Sequence, residues 1–79
     1  MYLENRVYAL IARKLGRPSH QLSDEMYLVE DLGADPYDLE ELAGELEREF
    51  DVLFREIDVE SWNTIEDVIA SVQEAIARQ

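Results

Sequence analysis

Acidic side chains crowd the middle of this chain, which reads VEDLGADPYDLEELAGELEREF from Val29 to Phe50. Carboxylates in pairs can act as general acid and base, and carboxylates in a loop can bind Ca²⁺. A calcium loop begun at Asp31 needs glycine sixth and glutamate twelfth, but Pro36 and Leu42 stand there. A solvated acidic face explains these residues better than catalysis or a dedicated metal site, and weak, diffuse binding of divalent cations is left as an alternative.

Other reactive side chains are few and scattered. His20 is the only histidine and there is no cysteine, so no second soft ligand can join it in a metal site. The sequence shows no nucleophile–base pair and no phosphate-cradling glycine loop. We therefore expect no enzymatic activity, no bound cofactor and no metal ion.

The net charge of −12 is unevenly distributed over the 79 residues. Residues 1–20 contain four basic side chains and one acid, whereas residues 21–79 contain eighteen acids and three bases. Such a field repels nucleic acid and anionic membranes and attracts basic protein surfaces, although it can also serve solubility alone. No apolar run approaches the roughly 20 residues of a membrane span, and no signal peptide follows Met1. We expect a cytoplasmic monomer with a single domain over residues 1–79.

Three amphipathic segments predict three main helices. The first has an apolar stripe that includes Lys14, and Gly16 with Pro18 ends it. In the last, Asn63 or Thr64 caps the start and Glu66 and Asp67 occupy the first turn. The stripes are Leu3, Val7, Leu10, Ile11, Lys14 and Leu15 in the first helix, and Ile65, Val68, Ile69, Val72 and Ile76 in the last.

The second helix is the best specified, and its start is unusual. Asp35 can cap the exposed N–H groups, Pro36 fits the first helical position because its missing N–H is not needed there, and Asp38 favours the helix dipole. The apolar face is Leu39, Leu42, Ala43, Leu46 and Phe50. Acidic residues lie largely around the other faces, and we expect Glu41 and Glu47 to point to water.

Two connections complete the fold. Residues 17–34 show neither helical nor strand period, but their scattered apolar residues predict a long loop pinned to the core. Residues 51–63 contain at most a short helix around Ile57–Ser61, with Phe54 and Trp62 as core anchors. The predicted fold class is all-α: a bundle of three main helices plus one short helix, with a long first loop.

This layout, together with several ordered motifs, resembles the acyl carrier protein family. The motifs are the "LG" of Leu15 and Gly16, "DLGAD" at residues 31–35, "LEREFD" at residues 46–51 and "NTIEDV" at residues 63–68. In that family a serine follows the Asp-Leu-Gly-Ala-Asp motif and its hydroxyl receives the phosphopantetheine arm. Here Pro36 occupies that position, and proline has no hydroxyl with which to form a phosphodiester. Phosphopantetheine is therefore not expected at Pro36, and Ser19, Ser23, Ser61 and Ser71 do not match the motif.

The resemblance also implies a partner-binding surface on the second helix. The family presents an apolar patch beside the attachment site, and the matching positions here are Tyr37, Glu40 and Gly44. An acidic rim that faces basic residues of partner enzymes is retained. The predicted partner-binding residues are Asp35, Tyr37, Asp38, Glu40, Glu41, Gly44 and Glu47. Tyr37 is either an apolar anchor for the partner or a ring folded onto the loop around Leu32.

Three functional hypotheses follow. The first is a non-catalytic interaction or regulatory module that occupies a basic docking surface on an enzyme of fatty-acid or polyketide metabolism. The second is a carrier of fatty-acid or secondary-metabolite biosynthesis that holds its cargo at another site or non-covalently. The third is an acidic mimic of nucleic acid, which ranks last because the carboxylates cluster on one helix and its approaches instead of following an extended surface.

Overall fold

The computed structural model describes residues 2–79 of the protein. It contains α1 (Tyr2–Leu15), α2 (Pro36–Phe50), the short α3 (Glu56–Glu60) and α4 (Ile65–Ala77). A single 3₁₀ turn, Ser19–Gln21, lies in the long connection between α1 and α2. The predicted all-α arrangement of three main helices, one short helix and a long first loop is confirmed.

The three main helices bury the stripes that their sequences predict. Buried side chains are Val7, Leu10 and Ile11 of α1, Leu42, Ala43 and Leu46 of α2, and Ile65, Val68, Ile69 and Val72 of α4. Each large aliphatic side chain removed from water contributes roughly 1.5–3 kcal/mol. The prediction for Ile76 is wrong, because Ala75 is buried and Ile76 is 39% exposed. Ala75 and Ile76 lie three and four positions after Val72, so either could share its buried face. The smaller residue, Ala75, is the one that faces the core.

The long loop is pinned to the core, as predicted. Leu28 and Leu32 are buried. The Leu28 N–H donates to the Asn63 carbonyl at 2.8 Å, and the Ile65 N–H donates to the Met26 carbonyl at 3.1 Å. The loop is therefore tied to the segment that leads into α4, which satisfies backbone groups that burial would otherwise leave without partners.

The connection between α2 and α4 is anchored by two aromatic rings. Trp62 is buried, and its ring meets that of Phe54 edge-to-face with centroids 5.3 Å apart. The indole Nε1–H donates to Ser71 Oγ at 2.8 Å, so the one polar atom of the ring has a partner. Both rings are core anchors, as predicted, and they fix α3 beside α2. Within residues 2–79, no helix is both long and apolar enough to cross a membrane.

Candidate functional site

The start of α2 is held by a reciprocal capping box. The Asp35 side chain accepts from the Asp38 N–H at 2.8 Å, and the Asp38 side chain accepts from the Asp35 N–H at 3.1 Å. Pro36 is the first helical residue. The predictions for the cap and for the proline are confirmed. Asp35 and Asp38 thus have a structural role, since each accepts a hydrogen bond from a backbone N–H at the start of the helix.

The approach to α2 delivers Pro36 to the surface. Gly33 has a φ of 74°, a left-handed conformation that suits glycine, and it turns the chain after the buried Leu32. Ala34 is buried again, and its N–H donates to the Leu28 carbonyl at 3.0 Å. The next residues, Asp35 and Pro36, are exposed. The loop therefore presents the head of α2 to solvent.

Tyr37, Glu40 and Gly44 lie on one face of α2, because a helix turns about 100° per residue. Tyr37 is 66% exposed, which favours an accessible ring over one folded onto the loop around Leu32. A hydrogen bond to Glu41 raises the pKa of the Tyr37 hydroxyl. Close packing does not require a glycine at position 44, since a Cβ added to Gly44 would lie 3.7 Å from the nearest atom, Nη1 of Arg48.

A second side of α2 faces α1 and is covered by ion pairs. Glu41, Glu45 and Glu49 follow one another at intervals of four residues and so lie in one row. Their partners are Lys14 for Glu41, Arg13 at 3.7 Å and Lys14 at 3.5 Å for Glu45, and Arg6 at 2.7 Å for Glu49. The hydrogen bond with Lys14, followed by that with Tyr37, lowers the pKa of Glu41, and the same bond with Glu41 raises the pKa of Lys14.

Glu47 is also engaged within the chain. Its carboxylate accepts from the backbone N–H of Phe54 at 2.9 Å and so ties α2 to the connection that follows it. The expectation that Glu41 and Glu47 point to water is therefore met only in part, because the Glu41 side chain is 38% exposed yet pairs with Lys14, and Glu47 is half-buried. A helical repeat identifies which residues share a face, but the neighbour that meets the face depends on the packing of distant segments.

An open groove of about 760 Å³ lies beside Pro36, between α2 and α3. Its acidic residues are Glu40 from α2 and Glu56 and Glu60 from α3, all of them exposed. The two α3 glutamates were not among the residues predicted from the sequence. Their spacing of four residues, which places both on one face of a helix, was the available signal.

Other candidate ligands stay apart in the structure. Within residues 2–79, no group of three or more histidine, cysteine, aspartate or glutamate side chains is arranged to hold a metal ion. His20 lies exposed in the 3₁₀ turn. The described part of the chain therefore offers the head of α2 and the adjoining groove as its candidate site.

The helix order and the exposed head of α2 define a small helical carrier-type domain, and comparisons identify its family. The model of the phosphopantetheine attachment site matches residues 5–72. The chain belongs to this family.

Individual relatives agree with this assignment. The acyl carrier protein of Thermotoga maritima is 33% identical over 72 residues, which cover 91% of this chain and 89% of that protein. The acyl carrier protein of Chlorobium phaeobacteroides is 39% identical over 67 residues, which cover 85% of this chain and 86% of that protein. A Mycobacterium tuberculosis structure assigned as an acyl carrier protein superposes with a TM-score of 0.85 at 35% identity, covering 91% of this chain and 96% of that one.

Proposed function

We propose that this acyl-carrier-like domain receives no phosphopantetheine arm at the head of α2 and acts by protein contact on enzymes of acyl metabolism in the cytoplasm. The observation that carries the proposal is Pro36 at the first position of α2. Transfer of the arm requires a hydroxyl oxygen that attacks phosphorus, and the pyrrolidine ring has neither a hydroxyl nor another free nucleophile.

The four serines of the chain and the phenol beside Pro36 are poor substitutes for the missing attachment serine. Ser61 donates to the Asp58 carbonyl and Ser71 accepts from Trp62, so both are engaged within the chain. Ser19 and Ser23 are exposed, but neither begins one of the long helices. The phenol of Tyr37 is adjacent to Pro36, but its hydrogen bond to Glu41 raises its pKa, which makes the nucleophilic phenolate scarcer at neutral pH.

The exposed face of α2 is the proposed contact surface. Tyr37 supplies an accessible aromatic ring, and exposed aromatic side chains often contribute much of the energy of an interface. Glu40 supplies a charge that has no ion-pair partner within residues 2–79. A partner with a basic docking surface complements this face, and its association should be fast and salt-sensitive.

The deciding experiment is a loading assay. The intact protein is incubated with coenzyme A and a broad-specificity phosphopantetheinyl transferase, and its mass is measured alongside an acyl carrier protein that is known to be loaded. We expect the mass to stay unchanged. A gain of the arm, about 340 Da as a covalent addition, overturns the proposal.

Matched variants show why loading fails. P36S restores the hydroxyl, and P36S/Y37L/E40V/G44M also restores the apolar patch implied by the family resemblance. Loading of either variant but not of the original chain assigns the block to Pro36. Loading of the multiple variant alone shows that the patch is also needed for recognition by the transferase.

The groove beside Pro36 favours a second candidate function, in which the domain holds an acyl chain non-covalently. Apolar side chains line part of it, and its volume falls within the range of small-molecule sites. The three glutamates at its edge oppose this function for any ligand with an anionic head. Titration with methyl dodecanoate, which has no anionic head, followed by the amide signals of Val29 and Val59, tests it. Saturable shifts at these residues would support cargo binding.

A further inference from the structure

Gly44 lies in the interior of α2, where a glycine destabilises the helix relative to alanine because it loses more backbone freedom on folding. Internal packing does not explain it, since a Cβ at this position would lie at an ordinary contact distance of 3.7 Å from Nη1 of Arg48. Gly44 borders an open depression of about 690 Å³ that Arg48 and Leu53 also line. The distance between two packed helices depends on the side chains at the contact, so a glycine here favours the close approach of another helix.

Arg48 is the only basic residue of α2, and its guanidinium is unpaired. It is exposed and forms no ion pair within residues 2–79. The acids next to it in the sequence are engaged elsewhere. Glu45 and Glu49 pair with bases of α1, and Glu47 accepts from the N–H of Phe54. The C-terminal half of α2 therefore presents a cation that no group of the chain neutralises.

Groups that complement this half lie on the same face, nearer the start of the helix. A turn of about 100° per residue places Tyr37, Gly44 and Arg48 in one narrow sector, with Glu40 beside them. Glu40 has no ion-pair partner within residues 2–79, and Tyr37 is 66% exposed. Beyond the end of the helix, Leu53 is 80% exposed. An anion and an aromatic ring thus lie before Gly44, and a cation and an aliphatic side chain lie after it.

We propose that two copies of this chain associate through α2, with the two helices antiparallel about a two-fold axis near Gly44. Glu40 of each copy then pairs with Arg48 of the other. Tyr37 of each copy packs against Leu53 of the other, at the edge of the depression. A two-fold contact is self-complementary, so each of these interactions forms twice. The two glycines lie where the helices cross and allow them to come close.

Charge complementarity favours a second copy over another occupant of this face. A uniformly basic partner would bring cations against Arg48, and a uniformly acidic one would bring anions against Glu40. An antiparallel copy of the same helix matches both ends. The net charge of −12 on each copy opposes the association and one helix per copy makes a small interface, so we expect a weak dimer that needs salt.

This inference goes beyond the proposed function, because it concerns a different partner and does not depend on the state of Pro36. It has one consequence that rests on that function. The dimer covers Tyr37 and Glu40, which belong to the surface proposed to contact enzymes, so self-association and enzyme binding compete.

The assembly is measured by sedimentation equilibrium of the full-length protein. The salt concentration is about 0.15 M NaCl, at which repulsion between distant charges is largely screened. The protein concentration runs from about 10 μM to about 1 mM, which covers the range of weak interfaces. We expect the average mass to rise from that of one chain toward that of two, and not beyond.

Charge-exchange variants identify the surface. Glu40→Arg and Arg48→Glu each place like charges opposite one another at both ends of the interface, so each should weaken self-association at least roughly tenfold. An equimolar mixture of the two variants has two cations on one copy and two anions on the other. The mixture, and likewise the double variant E40R/R48E, should regain the original affinity within about threefold. Glu40→Arg also lowers the net negative charge, so association governed by general repulsion would become stronger in that variant.

Gly44→Gln tests the close approach. It adds bulk at the crossing point and replaces a poor helix former, so dimerisation should weaken while the melting temperature holds or rises. Ala70→Gln is the matched control, because it enlarges an exposed small residue of α4, outside the proposed interface. Thermal unfolding verifies that every variant is folded.

Each outcome decides the inference. A mass that stays at one chain over the whole range, in agreement with the monomer expected from the sequence, overturns it. A mass that rises past two chains, a mixture of the charge variants that stays monomeric, or equal weakening by Gly44→Gln and Ala70→Gln also overturns it. None of these results changes the mass found in the loading assay, so the proposed function stands or fails separately.

Discussion

Two sides of α2 carry the same type of acidic side chain and differ in what faces them. On the side toward α1, Glu41, Glu45 and Glu49 meet Lys14, Arg13 and Arg6. On the side toward α3, Glu40 joins Glu56 and Glu60 at an open groove that contains no base. Acids of the first side contribute to the packing of two helices, whereas those of the second remain available to an outside partner.

This difference explains the uneven charge along the chain. Of the four basic residues in the first twenty, three lie in α1 and form ion pairs with glutamates of α2. Most of the positive charge of this segment is therefore compensated within the protein. The exposed acids of the groove and of the head of α2 are among those that set the negative potential a partner meets. Ion pairs at partly exposed sites are weak individually, so the α1 side stabilises chiefly as a row of several pairs.

The largest effect that the comparison predicts is the response to charge reversal. Glu41→Lys replaces the ion pair with Lys14 by two neighbouring ammonium groups, so the melting temperature should fall by roughly 4–8 °C. Glu40→Lys removes one of several mutually repelling carboxylates, so the melting temperature should hold or rise slightly. Circular dichroism at 222 nm measures both. Equal losses in the two variants would show that the sides of α2 do not differ.

The helix cap serves both sides of α2 and gives the next largest effect. Asp35→Ala removes the acceptor for the Asp38 N–H, so urea unfolding should show a loss of roughly 0.5–2 kcal/mol. Thr64→Ala is the matched control, because Thr64 forms the corresponding capping box with Asp67 at the head of α4.

Pro36→Ala tests whether the proline itself stabilises the helix start. Its free energy of unfolding should change by less than about 1 kcal/mol, since the proline acts mainly by restricting the unfolded chain. A loss larger than that of Asp35→Ala would instead assign Pro36 a packing role in the floor of the groove.

Part of the pH dependence of stability should originate on the α1 side. The pKa of Glu41 is lowered in the folded protein, so its contribution is complete above the ordinary pKa of 4.5 and is lost as the pH falls below it. The pKa of Lys14 is raised, so its contribution is complete below 10.5 and is lost as the pH rises above that value. Melting temperatures from about pH 7 to about pH 3 should therefore fall less steeply for Glu41→Gln than for Glu40→Gln.

Salt should have the smallest effect, because it acts oppositely on the two sides. Screening weakens the α1–α2 ion pairs and relieves repulsion at the groove, and the net charge of −12 lets the relief prevail. The melting temperature should rise by a few degrees with moderate NaCl, and likewise with millimolar Mg²⁺. Glu40→Gln/Glu56→Gln/Glu60→Gln should diminish this rise. A triple variant with an unchanged salt response would place the repulsion elsewhere.

Much of the fold follows from patterns within short segments. The apolar repeat of α2, its cap Asp35 and Pro36 at the first helical position were predicted and are observed, and of the two predicted caps of α4, Asn63 or Thr64, the structure shows Thr64. These features depend on the geometry of one helical turn, which the neighbouring residues define. The burial of Leu28 in the long loop also follows, because so many apolar residues in an irregular segment need a core.

The candidate site was predictable only in part. Tyr37 and Glu40 are exposed, as expected. Glu41, however, is held by Lys14, which lies 27 positions earlier in the chain, and Glu47 is held by Phe54, seven positions later. The sequence also did not predict that α4 buries Ala75 instead of Ile76. Nor did it predict the groove that Glu56 and Glu60 complete. In each case a local pattern allows two outcomes and a neighbouring element selects one.

The sequence alone determined where α2 begins, which faces of α1 and α2 are apolar, and that position 36 offers no hydroxyl. These properties are set by side-chain chemistry and by the 3.6-residue period of the backbone. Only the tertiary structure decided which acids of α2 are neutralised and which remain free beside an apolar groove. That outcome depends on the register at which α1 and α3 pack against α2, because a charge is compensated only by a group that folding brings within a few ångströms of it.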